Sequence, residues 1–166
     1  MVHRLRFFGL LVAASVTCAH AFGQAQLDRA AALRNLKSCS LRPVAPTCDE
    51  RNAEYLIGLY DRGDLALLRP LINAGSYSDG ALSEVLGDFY SKVLWKRPRT
   101  FVASLSSRSP HDQRTVCMLA SEMGRNQLRS VTRSLGNMSS SRERRVSKVA
   151  RMCLAEINRA NVSNSR

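Results

Sequence analysis

Apolar residues recur along this chain at intervals of three and four, and no stretch of convincing length alternates with the two-residue period of a strand. The strongest stripe is Leu82, Val85, Leu86, Phe89, Tyr90, Val93 and Leu94. It predicts a helix that opens at Ser78 or Asp79 and stops before Pro98. Upstream, Leu27 to Lys37 forms an Ala- and Leu-rich helix. Thr47-Cys48-Asp49-Glu50 fits a capping box, in which the threonine hydroxyl and the Glu carboxylate each take an early N–H. The helix behind it carries Ala53, Leu56, Ile57 and Tyr60 on one face. Gly63-Asp64 breaks that helix and caps the next, with Leu65, Leu68, Leu71 and Ile72 inward and Asn73-Ala74-Gly75 at its end.

The second half follows the same period. Pro98 suits a helix start, where its missing N–H has no partner to lose, and Phe101, Val102 and Leu105 follow it. Ser109-Pro110-His111-Asp112 caps a helix bearing Val116, Cys117, Ala120 and Met123. Leu128, Val131 and Leu135 mark a short helix closed by Gly136-Asn137. Ser140 to Glu143 caps the last helix, which runs to about Asn158 before a fraying end. The expected fold is all-α, with about eight short helices in antiparallel pairs.

Within this pattern, "LYDRGDLALLRPLINAG" resembles the helix-turn-helix of HEAT-like repeats, an apolar helix, an Asp-bearing turn and a Leu-rich second helix. The resemblance implies side-by-side stacking and protein binding as a mode of action. It carries over no catalytic residue. A compact bundle is the competing arrangement.

The amino terminus departs from the helical pattern. "MVHRLRFFGLLVAASVTCAHAFGQAQ" places Arg4 and Arg6 before an apolar run from Phe7 to Val16, followed by Ala19-His20-Ala21. That is the layout of a cleaved secretory signal over residues 1–21. The run is shorter than the roughly 20 apolar residues a bilayer span needs. Residues 22–159 are then expected as one helical domain and 160–166 as a flexible tail. The expected setting is periplasmic or secreted, a Gram-negative periplasm first.

That compartment changes how the cysteines read. Beyond the signal lie Cys39, Cys48, Cys117 and Cys153, an even number in an oxidising space, which favours disulfides. The expected pairs are Cys39–Cys48, closing "CSLRPVAPTC", and Cys117–Cys153, both on inward helix faces. No Cys-x-x-Cys is present, and His111 is the single histidine after the signal. A tetrahedral zinc site therefore lacks its usual close ligand pair, and no metal or cofactor is expected.

Charge separates the two halves. Residues 22–90 hold 7 basic and 9 acidic side chains, whereas residues 91–166 hold 16 basic and 4 acidic. Arg144, Arg145, Lys148, Arg151 and Arg159 cluster opposite the Cys153 face of the last helix, and Arg125, Arg129 and Arg133 form a second row. Like charges on one helix face repel, so these are candidate binding residues for an acidic protein or an anionic envelope polymer. A solvated face in a basic protein is the plainer account. Aromatic residues are not interleaved with the row, which disfavours single-stranded nucleic acid. Trp95 lies on the side of Glu84 and Asp88, either as a second packing face or as a contact residue on an acidic rim.

No catalytic residue is assigned. A serine or cysteine triad lacks a base, since Ser109 to Asp112 reads as a cap. Asp61, Asp64, Asp79, Glu84 and Asp88 supply carboxylates for a cell-wall hydrolase, a third possibility behind two binding roles. The leading expectation is a non-enzymatic, secreted helical protein-binding module of adaptor or inhibitor type. Its alternative is a binder of anionic envelope polymers.

Overall fold

The computed structural model describes residues 28–39, 50–78 and 80–163. Residues 1–27 with the expected signal, the 40–49 loop with Cys48 and most of its capping box, Asp79 and the last three residues lie outside the described residues. Among the described residues there are eight α-helices and no strand. They are α1 (Arg29–Cys39), α2 (Glu50–Asp61), α3 (Leu68–Gly75), α4 (Gly80–Lys96), α5 (Pro98–Leu105), α6 (Pro110–Leu119), α7 (Arg125–Ser139) and α8 (Arg144–Ser163), with a 3-10 turn at Leu65–Leu67 leading into α3.

Helix α4 organises the core because its apolar stripe is the longest. Leu82, Leu86, Phe89, Tyr90, Val93 and Leu94 are all buried, and α4 packs against α2, α3, α5, α6 and α7. Phe89 meets Tyr60 of α2 edge-on at 5.1 Å between ring centroids. On the other side, Tyr90 meets Phe101 of α5 at 6.1 Å. Aromatic contacts thus run from α2 through α4 to α5, each adding about 0.5–1.5 kcal/mol beyond simple burial.

Consecutive helix pairs stack, α1 on α3 and α2 on α4, then α3 on α5 and α4 on α6. One contact goes beyond nearest-neighbour stacking. α4 also reaches α7, two pairs away, which wraps the later helices around α4 as in a bundle. Ser91 of α4 fastens this closure, its buried hydroxyl shared between the Glu122 carbonyl at 2.9 Å and the Ala120 carbonyl at 3.2 Å.

Four local expectations need correction. Leu65, expected inward, is 50 % exposed, because it opens the 3-10 turn ahead of α3 and lies outside that helix's stripe. Asp64 precedes the 3-10 turn without making a side-chain cap. Its carboxylate accepts instead from Arg29 of α1 at 2.7 Å, and the bond raises the pKa of the Arg29 guanidinium. Helix α7 does not close at Gly136-Asn137 but continues to Ser139, because Met138 is buried in the core. Helix α8 passes Asn158 and runs to Ser163, with the Asn161 amide donating to the Ile157 carbonyl at 2.7 Å. The Ser109 cap is present, its hydroxyl accepting from the Asp112 N–H at 3.1 Å.

Candidate functional site

The two basic rows occupy adjoining helices. α7 and α8 pack together more extensively than any other pair. Val131, Leu135 and Met138 of α7 face Val149, Ala150, Cys153 and Ile157 of α8 as parts of one buried core. Helical geometry then turns the intervening cations outward. Arg125, Arg129, Arg133, Arg144, Arg145, Lys148, Arg151 and Arg159 are all exposed.

The α8 helix is pinned in this position from both ends. At its start, the Ser147 hydroxyl donates to the Ser139 carbonyl at the end of α7 at 2.6 Å. Arg151 donates to the same oxygen at 3.3 Å, a favourable place for a cation at a helix C-terminus. Deeper in, Cys117 of α6 and Cys153 of α8 form a disulfide with Cα atoms 4.8 Å apart, and both are fully buried. Glu156, one turn along, is buried and is bracketed by Arg114 of α6 at 3.4 Å and by Arg159. Cys39 is also disulfide-bonded, to a residue outside the described ones; Cys48, its expected partner, lies there.

Arg151 and Arg159 therefore have partners within the fold. The other six cations make no ion pair among the described residues. Arg125–Arg129, Arg129–Arg133 and Arg144–Lys148 stand at four-residue spacing, and each such like-charge pair costs about 0.2–0.5 kcal/mol. Between α5, α7 and the start of α8 lies a groove of about 430 Å³. Its lining is mixed, with Arg99, Ser134, Asn137, Ser141 and Glu143 beside Pro98, Ala103, Met138 and Val146. None of the six cations stands in that lining, although α7 and α8 carry them. The groove was not legible in the sequence, because its walls come from three separate helices and a turn.

The other candidates are dispersed. Trp95 is 41 % exposed, and the Lys96 ammonium stands 6.0 Å from its ring centroid. Glu84 and Asp88 are exposed on the same helix and line neither this groove nor the two cavities described next. Asp61 is bonded to Lys92 at 2.6 Å. Among the described residues, Asp61, Asp64, Glu84 and Asp88 do not share the lining of any of these three cavities, and Asp79 lies outside the described residues.

Two further cavities were not foreseen. One, of about 480 Å³, opens between α1 and α3 over Leu33, Leu36, Pro70 and Ala74, with Tyr77 and Arg108 at its edge. The smaller, of about 150 Å³, lies where the ends of α2 and α4 meet and is lined by Tyr60, Asp61, Lys92, Val93, Lys96 and Arg97. "WKRP" was the available sequence signal, two cations against a helix-starting proline. Tyr60 was legible only as a core residue.

Among the described residues no cluster of three His, Cys, Asp or Glu side chains is placed to hold a metal. Nor is any helix long and apolar enough to cross a membrane. Comparison with protein-family models, with curated proteins and with solved structures finds no match.

Proposed function

We propose that this chain is a non-enzymatic binding module of the periplasm or extracellular space, and that it docks an acidic partner protein on the α7–α8 face. The observation that carries this reading is the set of six exposed cations that make no ion pair among the described residues, on the two helices that wall a mixed polar and apolar groove with α5. Apolar surface next to charged side chains suits a protein interface. A bare phosphate polymer has no use for the Pro98, Ala103, Met138 and Val146 wall. The buried Cys117–Cys153 bond supports an oxidising compartment.

The second reading, an anionic envelope polymer, draws on the same rows. Neutralising phosphates releases counterions, so such binding weakens steeply with salt. Affinity capture from envelope extracts at low and high salt distinguishes the two. The wild type is expected to retain a protease-sensitive acidic protein, and Arg129→Glu/Arg133→Glu/Lys148→Glu to lose at least tenfold of it. Capture unaffected by charge reversal would remove the α7–α8 face from consideration. A captured species that resists protease and carries phosphate would assign the face to a polymer.

A further inference from the structure

We propose that the small cavity between α2 and α4, at the start of α5, is a binding site for a tetrahedral oxyanion, a phosphate or sulfate group, separate from the α7–α8 face. Its volume of about 150 Å³ is well below the roughly 300–1,000 Å³ of sites that take larger organic ligands. Three cations line it against one carboxylate. Lys92 is satisfied by Asp61 at 2.6 Å, which leaves Lys96 and Arg97.

Cations at the end of a helix ordinarily serve its terminal carbonyls. Among the described residues, neither Lys96 nor Arg97 bonds a carbonyl or a carboxylate through its side chain. The contact of Lys96 with Trp95 is at the outer limit of a cation–π interaction, 6.0 Å from the centroid. Both charges are therefore available to a ligand.

One buried side chain supplies a neutral donor. Tyr60 is only 7 % exposed, lines the cavity, and has a buried hydroxyl with no hydrogen-bond partner. An orphaned buried hydroxyl is destabilising, and a ligand that accepts from it removes that cost. The ring is held in an edge-on contact with Phe89 at 5.1 Å. A tetrahedral oxyanion accepts from a guanidinium, an ammonium and a phenol at once, as a single carboxylate cannot.

The test is a titration of the protein with inorganic phosphate, sulfate and glycerol 3-phosphate at constant ionic strength, followed by calorimetry and by amide NMR shifts. One-to-one saturable binding is expected, with the amides of the lining residues Asp61, Lys96 and Arg97 moving most. Arg97→Gln and Lys96→Gln, both at exposed positions, should each weaken it about tenfold, as loss of a charged hydrogen bond does. Tyr60→Phe should weaken it several-fold while raising the unfolding midpoint, because the orphaned hydroxyl is gone. Tighter binding of glycerol 3-phosphate than of phosphate identifies a phosphomonoester on a larger molecule, and equal binding identifies the free ion. Absence of saturable binding, or binding indifferent to both Arg97→Gln and Tyr60→Phe, overturns the site.

Discussion

Gly75 and Tyr90 are fitted to one another. A Cβ on Gly75 would lie 2.4 Å from the Tyr90 hydroxyl oxygen and under 3 Å from two ring carbons, and Tyr90 is fully buried. Gly136, inside α7, has open space around its Cα. Gly75→Ala is therefore expected to cost about 1–3 kcal/mol through overpacking, whereas Gly136→Ala should gain up to about 1 kcal/mol of helix propensity. Urea unfolding midpoints of the two variants, moving in opposite directions, check this. The Tyr90 hydroxyl donates to the Leu71 carbonyl at 2.6 Å, and burial pushes its pKa well above the usual range. The folded protein then holds a proton that the unfolded chain releases above about pH 10. Stability should accordingly fall with rising pH there, by up to about 1.4 kcal/mol per pH unit, and Tyr90→Phe should lose that component of the slope. The sequence placed Tyr90 on the α4 stripe. It read Gly75 only as a helix end, since the clash it avoids is with a residue on another helix.

At the scale of elements, helix ends were less legible than helix faces. The stripes of α4 and α8 follow from periodicity, and their inward residues are buried as the 3.6-residue repeat requires. Asp64 had the residue type of a cap and became the partner of Arg29, 35 positions away. Gly136 and Asn137 had the residue types of a terminus and were absorbed into α7, because burying Met138 outweighs a glycine inside a helix. The α6–α8 contact is locked by Cys117–Cys153, a separation of 36 residues. Loop-closure entropy gives this bond roughly 4 kcal/mol as an upper figure. Cys117→Ala/Cys153→Ala should lower the unfolding free energy by a few kcal/mol at most, less if the buried alanines repack, and the urea midpoint with it. In the wild type, reductant should have little effect until the protein unfolds, since both sulfurs are sealed from solvent. Unfolding curves with and without reductant measure both effects.

At the scale of the molecule, charge and cavities are arranged by packing. The cations of residues 91–166 were visible as two rows, but periodicity cannot say whether two rows on different helices lie together. The α7–α8 contact puts them on adjoining helices, which also wall a groove with α5, and this combination directs the charge-reversal experiment. The α2–α4–α5 junction was illegible for the same reason, since Tyr60 and Arg97 are 37 positions apart and share no local pattern.

The sequence by itself determined the all-α class and most of the inward faces, among them those that hold Cys117 and Cys153. Each of these depends on local periodicity or on the chemistry of a residue type. Tertiary structure alone decided which cations keep a partner, where Asp64 bonds, how far α7 and α8 extend and where the cavities open. Those outcomes arise from contacts between distant segments, where burial and packing exceed the weaker preferences of any single stretch of chain.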